Sequence, residues 1–232
     1  MLAPKSRLCL VAAALLLASA AGCSDLDETP EQGLSRTDLV ADLATQLAGA
    51  ASRTYEATYQ LSGGRTATIA QAQKPARAAY VYPGGKVLVT VDATTECRTT
   101  AKPATCTMTS PATPTSPPPP AVFRSADAKG MVTPATVLGL LNRAVLDPDL
   151  EVDQHDTTIA GRHATCLDLK GVDGAAARDF GTCITNEGVL GSFSGVLNQT
   201  QVDVAMTHYA DQVADDVFAM PKAAKLIDRR GS

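Results

Sequence analysis

Residues 54–72 have the sequence TYEATYQLSGGRTATIAQA, in which apolar and polar side chains alternate on both sides of two glycines. Alternation with a period of two is typical of a β-strand with one buried face. Gly63 and Gly64 supply the residues that a two-residue hairpin turn needs. The stretch therefore predicts two antiparallel strands joined by a tight turn.

The same pattern recurs after this hairpin. Residues 76–82 and 86–92 flank Pro83-Gly84-Gly85, which predicts a third and a fourth strand, and residues 97–108 predict another hairpin. Three further strand-rich stretches lie in the second half of the chain, at residues 157–171, 177–196 and 200–209. The pattern predicts an antiparallel sheet built from many short strands.

Two amphipathic helices accompany these strands. Ser35 begins a Ser-x-x-Asp capping box, and leucines then recur every fourth position, which predicts a helix over residues 36–51. Thr133 as N-cap and Pro134 at the first helical position predict a second helix that ends before Pro148. The order helix, strands, helix, strands predicts an α+β fold with the helices on one side of the sheet.

The second predicted helix carries one apolar stripe, which must cover something. We expect it to face the concave side of the sheet. The stripe residues are Val137, Leu138, Leu141 and Val145.

The start of the chain has the pattern of a bacterial lipoprotein signal peptide over residues 1–22. A basic start precedes an apolar run at residues 8–21, and the small residues Ala20-Ala21-Gly22 precede Cys23. The run is shorter than the roughly 20 residues that a membrane-spanning helix needs. We expect cleavage before Cys23 and acylation of its thiol, with chains such as palmitate. An ordinary secretory signal and an uncleaved anchor are the alternatives.

The rest of the chain divides into three parts. Residues 23–34 are polar and acidic, and we interpret them as a flexible tether. Residues 35–222 form one predicted domain, with a proline-rich insert at residues 110–120 that favours an extended spacer. Residues 223–232 form a basic tail that we expect to fray. The localisation that follows is lipid-anchored, at the extracytoplasmic face of the cell membrane.

Four cysteines remain for disulfides in such an oxidising compartment. We favour Cys97 with Cys106 and Cys166 with Cys183, because each pair is close in sequence and brackets a turn between two predicted strands. Four cysteines also allow two other pairings. A four-thiolate zinc site is not expected, since no tight C-x-x-C spacing occurs.

No catalytic residue, metal site or cofactor is predicted, so an enzyme is not expected. The net charge is −4 with basic residues scattered, which argues against nucleic acid, and Trp is absent. His155, His163 and His208 lie outside any recognised ligand spacing, so we interpret them as strand histidines. Neither a G-x-S-x-G elbow nor a phosphate-binding glycine loop is present.

The order of elements resembles that of a known superfamily of bacterial proteins. The matching features are a helix before Thr54-Tyr55-Glu56-Ala57, the strand with Tyr80-Val81-Tyr82, the Cys166 and Cys183 pair, and a closing stretch from Val202 to Pro221. The chain resembles the LolA/LolB-like half-barrel superfamily. That group includes lipoprotein carriers and receptors, a sigma-factor regulator and mycobacterial LppX/LprG-type lipid-binding lipoproteins.

This resemblance implies a half-barrel, a curved antiparallel sheet with helices on its concave face. It also implies a hydrophobic cavity for a lipid or another amphiphile, with the stripe residues Val137, Leu138, Leu141 and Val145 as candidate ligand-binding residues. The same side chains also suit a directly packed core without a cavity, so both interpretations remain open. The alternative is a protein-interaction or envelope-stress sensor on the same fold, which regulates a membrane partner such as an anti-sigma factor. We expect contact with the membrane through the lipid anchor and no binding of nucleic acid.

Overall fold

The computed structural model describes residues 35–111 and 120–231. The predicted signal peptide, Cys23, the tether and most of the proline-rich insert lie outside these residues. The described helices are α1 (Arg36–Gly49), α2 (Arg124–Asp127) and α3 (Pro134–Ala144), with 3-10 turns at Ala50–Ser52, Pro120–Phe123 and Asp215–Phe218. None of the helices in the described part of the chain is long and apolar enough to span a membrane.

One sheet contains all twelve strands of the described residues. In chain order the strands are β1 (Tyr55–Leu61), β2 (Arg65–Gln73), β3 (Ala76–Tyr82), β4 (Gly85–Thr90), β5 (Thr94–Arg98), β6 (Thr105–Thr109), β7 (Glu151–Ile159), β8 (Arg162–Lys170), β9 (Phe180–Thr185), β10 (Leu190–Leu197), β11 (Thr200–Ala210) and β12 (Lys225–Asp228).

The sheet consists of two meanders that meet at β1. Strands β1 to β6 follow one another toward one edge, and strands β11 to β7 follow one another toward the other. β1 pairs with β2 on one side and with β11 on the other, both antiparallel. The helices α2 and α3 lie in the connection from β6 to β7, which takes the chain from one end of the sheet to the other. The segment after β11 leads back to β6, where β12 forms the edge strand.

The helix starts are determined by local hydrogen bonds. The Ser35 hydroxyl accepts a hydrogen bond from the Asp38 backbone N at 3.2 Å, and the Asp38 carboxylate accepts one from the Ser35 backbone N at 3.2 Å. The Thr133 hydroxyl accepts one from the Thr136 backbone N at 3.3 Å, directly before Pro134. These caps satisfy backbone donors that have no partner within the helix, and both predicted helix starts are confirmed.

The main hydrophobic core lies between the helices and one face of the sheet, which we call the helical face. α1 packs against α3, and the two helices bury an aliphatic stripe each. The sheet contributes alternate residues of its strands, because side chains alternate between faces. The largest fully buried side chains of this core are Tyr55, Tyr59, Leu61, Ile69, Phe123, Met131, Leu141, Leu167, Leu169, Ile184, Leu190 and Phe193.

The predicted fold class is confirmed. The sheet is open, curved and antiparallel except for one pair of strands, and α1 and α3 cover one of its faces. This is an α+β half-barrel arrangement, in which the helices and the sheet each bury one apolar face against the other.

The opposite face, which we call the outer face, carries a second and smaller hydrophobic cluster. Ala70, Ala79 and Leu88 are buried there. They are covered by a segment after β11 that we call the C-terminal strap (residues 211–228). Val213, Val217 and Phe218 of the strap pack on the cluster.

Polar contacts hold the strap in place. Arg77 forms an ion pair with Asp215, and its guanidinium carbon lies 4.1 Å from the centroid of the Phe218 ring. The Lys86 ammonium donates a hydrogen bond to the Ala219 carbonyl at 2.8 Å. The strap is therefore fixed by contacts from two neighbouring strands of the outer face.

The end of the strap differs from the prediction of a frayed tail. β12 pairs parallel with β6. The Lys225 backbone N donates to the Ala104 carbonyl at 2.7 Å, and the Arg229 backbone N donates to the Met108 carbonyl at 2.8 Å. The prediction was wrong because composition does not reveal that β6 offers an open edge of backbone acceptors. The sheet of the domain thus extends beyond residue 222.

Candidate functional site

The predicted ligand-binding stripe belongs to the hydrophobic core. Val137 and Leu141 are fully buried, and Leu138 and Val145 are half-buried against the same cluster. The stripe packs directly on the core, which was one of the two interpretations that the sequence left open. Any ligand on the helical face therefore has to compete with these contacts.

A shallow, open cavity of about 320 Å³ lies elsewhere, over β1, β10 and β11. Two rows of outer-face side chains flank it, and the strand register aligns Gln60 with Ala205 and Ser192 in one of these rows. None of the four stripe residues lines this cavity. Its lining residues are Gln60, Leu61, Ser62, Ser192, Phe193, Ser194, Asp203, Val204 and Ala205.

The interior of the helical face contains phenols but no buried charge in the described residues. Burial raises the pKa of Tyr80 to about 12 and raises the pKa values of Tyr55 and Tyr59 well above the usual range. The Tyr59 hydroxyl donates to the Leu190 carbonyl at 2.9 Å. These phenols therefore stay protonated at neutral pH.

Buried polar side chains are otherwise few. Apart from tyrosine and cysteine, those that the structure describes as buried are threonines: Thr94, Thr95, Thr133, Thr182 and Thr185. No carboxylate or imidazole of the described residues is among them. Within the described residues, the interior of the helical face is therefore apolar apart from these hydroxyl groups.

Both disulfides join direct partners on antiparallel strands. Cys97 is bonded to Cys106 between β5 and β6, and Cys166 is bonded to Cys183 between β8 and β9. The Cα atoms are 4.0 Å and 3.9 Å apart, respectively. These are the two pairings that the sequence favoured.

The structure places one of the three histidines beside a disulfide. His155 on β7 is the register partner of Cys166 on β8, which in turn faces Cys183 on β9. A nitrogen of His155 and the two sulfur atoms lie within 4.8 Å of one another. His155 Nδ1 is also 3.7 Å from Asp168 Oδ2. His163 and His208 are exposed on other parts of the sheet.

Comparison with known proteins gives structural likeness only. No protein-family model matches the chain, and no curated protein matches it in sequence. Among the solved structures that resemble it is an uncharacterized conserved protein of Thermus thermophilus, with 12% identity, a TM-score of 0.47 and coverage of 82% of this chain and 99% of that chain. MucB has 14% identity and a TM-score of 0.48, with coverage of 79% of this chain and 63% of that chain. LprF from Mycobacterium bovis has 11% identity and a TM-score of 0.37, with coverage of 76% of this chain and 95% of that chain.

At these identities and TM-scores we draw no conclusion about function from the neighbours. The observed sheet with its helical cover is the half-barrel arrangement that the sequence predicted.

Proposed function

We propose that this chain is a non-enzymatic lipoprotein at the extracytoplasmic face of the cell membrane that binds a lipid or another amphiphile. In this proposal the acylated Cys23 anchors the domain. The acyl part of the ligand lies between α3 and the sheet, and its polar part stays at the edge of the domain in water.

The observation that carries the proposal is the chemistry of the helical face. Apart from a few threonines its buried side chains are apolar or aromatic, and the buried Tyr59 hydroxyl already has a backbone acceptor. An ionised ligand group in this interior would lose its hydration without meeting a buried opposite charge among the described residues. An acyl chain requires only apolar contact, which this interior supplies.

Entry of an acyl chain requires α3 to move, because Val137 and Leu141 occupy the space. The helix is 11 residues long, and its inner stripe is held by apolar contacts. Such contacts are non-directional, so an acyl chain that takes their place buries apolar area of the same kind. On the solvent-exposed side of α3, Arg143 Nε donates a hydrogen bond to the Asp173 carbonyl at 2.8 Å. In this proposal α3 turns about that contact when the acyl chain enters.

A second candidate function is a protein-interaction sensor that regulates a membrane partner. The observation that favours it is the filled core together with Leu146, whose side chain is 71% exposed directly after α3. In this second proposal a partner buries Leu146, and the apolar area removed from water contributes to binding.

The test is native mass spectrometry with organic extraction of the domain from Ser24 onward, produced in a lipid-containing host. Two matched variants are compared, Leu141→Arg on the buried stripe and Leu146→Arg on the exposed end. We expect lipid with the wild-type protein and with Leu146→Arg, and none with Leu141→Arg. Far-UV circular dichroism checks that each variant folds.

A folded wild-type protein without lipid would contradict the lipid proposal. If Leu141→Arg does not fold, the half-buried Leu138 offers a milder site, and Leu138→Arg should lower the amount of bound lipid. Cross-linking on intact membranes then separates the two candidates, since the sensor alone predicts a protein partner that Leu146→Arg loses.

A further inference from the structure

A row of cysteine and histidine side chains crosses three neighbouring strands on the outer face. The register aligns His155, Cys166 and Cys183 as direct partners on β7, β8 and β9. Side chains of directly paired residues lie on the same face of a sheet. The possible ligand atoms of these three residues lie within 4.8 Å of one another, so the pairing brings an imidazole to a cysteine pair.

The row is accessible from one side. The His155 and Asp168 side chains are 56% and 54% exposed, whereas Cys166 is buried and Cys183 is half-buried. Asp168 Oδ1 lies only 2.7 Å from the position that a Cβ of Gly181 would take. A side chain at position 181 would therefore displace the carboxylate from its place beside the row.

We propose that reduction of the Cys166–Cys183 disulfide opens a binding site for a thiophilic metal ion, with Zn²⁺ as the representative cation. The ligands are the two thiolates and the His155 imidazole, and water takes the fourth position. Thiolate and imidazole are the ligands that Zn²⁺ prefers. Bond lengths of about 2.3 Å to sulfur and about 2.0 Å to nitrogen place the ligand atoms of one Zn²⁺ less than about 4 Å apart. The imidazole is already near both sulfur atoms, and the sulfur atoms have to separate once their bond is broken.

A dithiol reductant supplies the electrons for reduction of the Cys166–Cys183 disulfide. Two electrons from the dithiol break the sulfur-sulfur bond, and the reductant forms its own disulfide while Cys166 and Cys183 become thiols. Each thiol loses its proton when it binds the cation, so each bound Zn²⁺ releases about two protons. The oxidised Cys166–Cys183 pair has no thiolate and therefore no site.

The second disulfide serves as an internal control. Its register partners are Lys86, next to Cys97, and Leu226, next to Cys106. Neither register partner can ligate Zn²⁺ as an imidazole does, and both cysteines of that pair are fully buried. Two thiolates without an imidazole partner in the register make a poorer Zn²⁺ site than two thiolates with one. The proposal thus distinguishes two disulfides that are alike in strand geometry.

The experiment is a Zn²⁺ titration of the soluble domain against a chromophoric chelator, after reduction with a phosphine under anaerobic conditions. We expect one zinc per reduced chain and at least hundredfold weaker binding to the oxidised chain. His155→Ala should weaken binding at least tenfold, and His163→Ala should leave it unchanged. Calorimetry in two buffers should detect the release of about two protons per zinc.

Three results would overturn the proposal. They are absence of zinc binding by the reduced protein, equal affinity of His155→Ala and wild type, and binding that survives in Cys166→Ser/Cys183→Ser. Because reduction can destabilise the domain, circular dichroism of the reduced protein is recorded with and without zinc. A reduced chain that unfolds would bind zinc without regard to His155, which the His155→Ala comparison detects. The site does not depend on the lipid ligand.

Discussion

The two faces of the sheet are covered in different ways. On the helical face, α1 and α3 bury a continuous set of aliphatic and aromatic side chains. On the outer face, the C-terminal strap covers a small cluster with Val213, Val217 and Phe218, and an ion pair holds it at Asp215. We therefore expect the global stability to depend on the helical face, and the contacts of the strap to open locally.

The largest expected effect is on the helical face. Leu141→Ala should lower the free energy of unfolding by about 2–5 kcal/mol, because it removes a fully buried side chain and leaves a cavity. Urea denaturation followed by circular dichroism measures the change. The matched control is Leu146→Ala, which should stay within about 0.5 kcal/mol since this leucine is exposed. Similar losses in both variants would refute the contrast between core and surface.

The strap should show a smaller effect. Phe218→Ala removes a half-buried ring and its contact with Arg77, so we expect a loss of about 1–2 kcal/mol, below the roughly 3–5 kcal/mol of a core phenylalanine. Hydrogen exchange should report faster exchange of the β12 amides while the core strands stay protected. Met220→Ala, at an exposed position of the same strap, is the control. Uniform loss of protection across the sheet would mean that the two faces are not separable.

The capping box at the start of α1 allows a test of how much one end of a covering helix contributes to stability. Ser35→Ala removes the acceptor for the Asp38 backbone N, which should cost about 1 kcal/mol. Ser35→Gly should cost only a few tenths of a kcal/mol, because water reaches the freed backbone groups there. Thermal melts of the two variants give the difference. An alanine variant as stable as the glycine variant would show that the capping box does not contribute.

The smallest expected effect is a pH dependence of the free energy of unfolding, to which Asp127 in α2 contributes. Burial raises the pKa of Asp127 from 3.8 to about 6. Between these values the folded state binds more protons than the unfolded state, so stability falls as pH rises through about 6. Urea midpoints at pH 4.5 and 7 should differ less in Asp127→Asn than in the wild-type protein. If the variant keeps the full pH dependence of the wild-type protein, groups other than Asp127 cause that dependence.

Local signals in the sequence were sufficient for most of the elements. Ser35, Pro134 and the Gly63-Gly64 turn act through bonds within a few residues, so the ends they mark were predicted correctly. The pairing of β6 with β12 joins segments far apart in the chain. No local pattern encodes such a pairing. The tail was therefore predicted to fray, although it contains β12.

The candidate sites were harder to predict, for two physical reasons. The stripe with Val137 and Leu141 has the same composition whether it lines a cavity or fills a core, so only packing distinguishes the two. The approach of His155 to Cys166 depends on the register of β7 and β8. A slip of one residue would move the imidazole to the other face, and the sequence does not specify that register.

The position of β1 between β2 and β11 has a consequence for how the chain folds. Thr58 and Thr207, which are 149 positions apart, form a hydrogen bond across the β1 and β11 pair. During synthesis from the N-terminus, the first meander can form long before β11 is available, and one edge of β1 then stays open in the middle of the future sheet. Such non-local pairing is slow, and an open edge invites association with other chains. A chain that ends before residue 200 should therefore aggregate rather than fold.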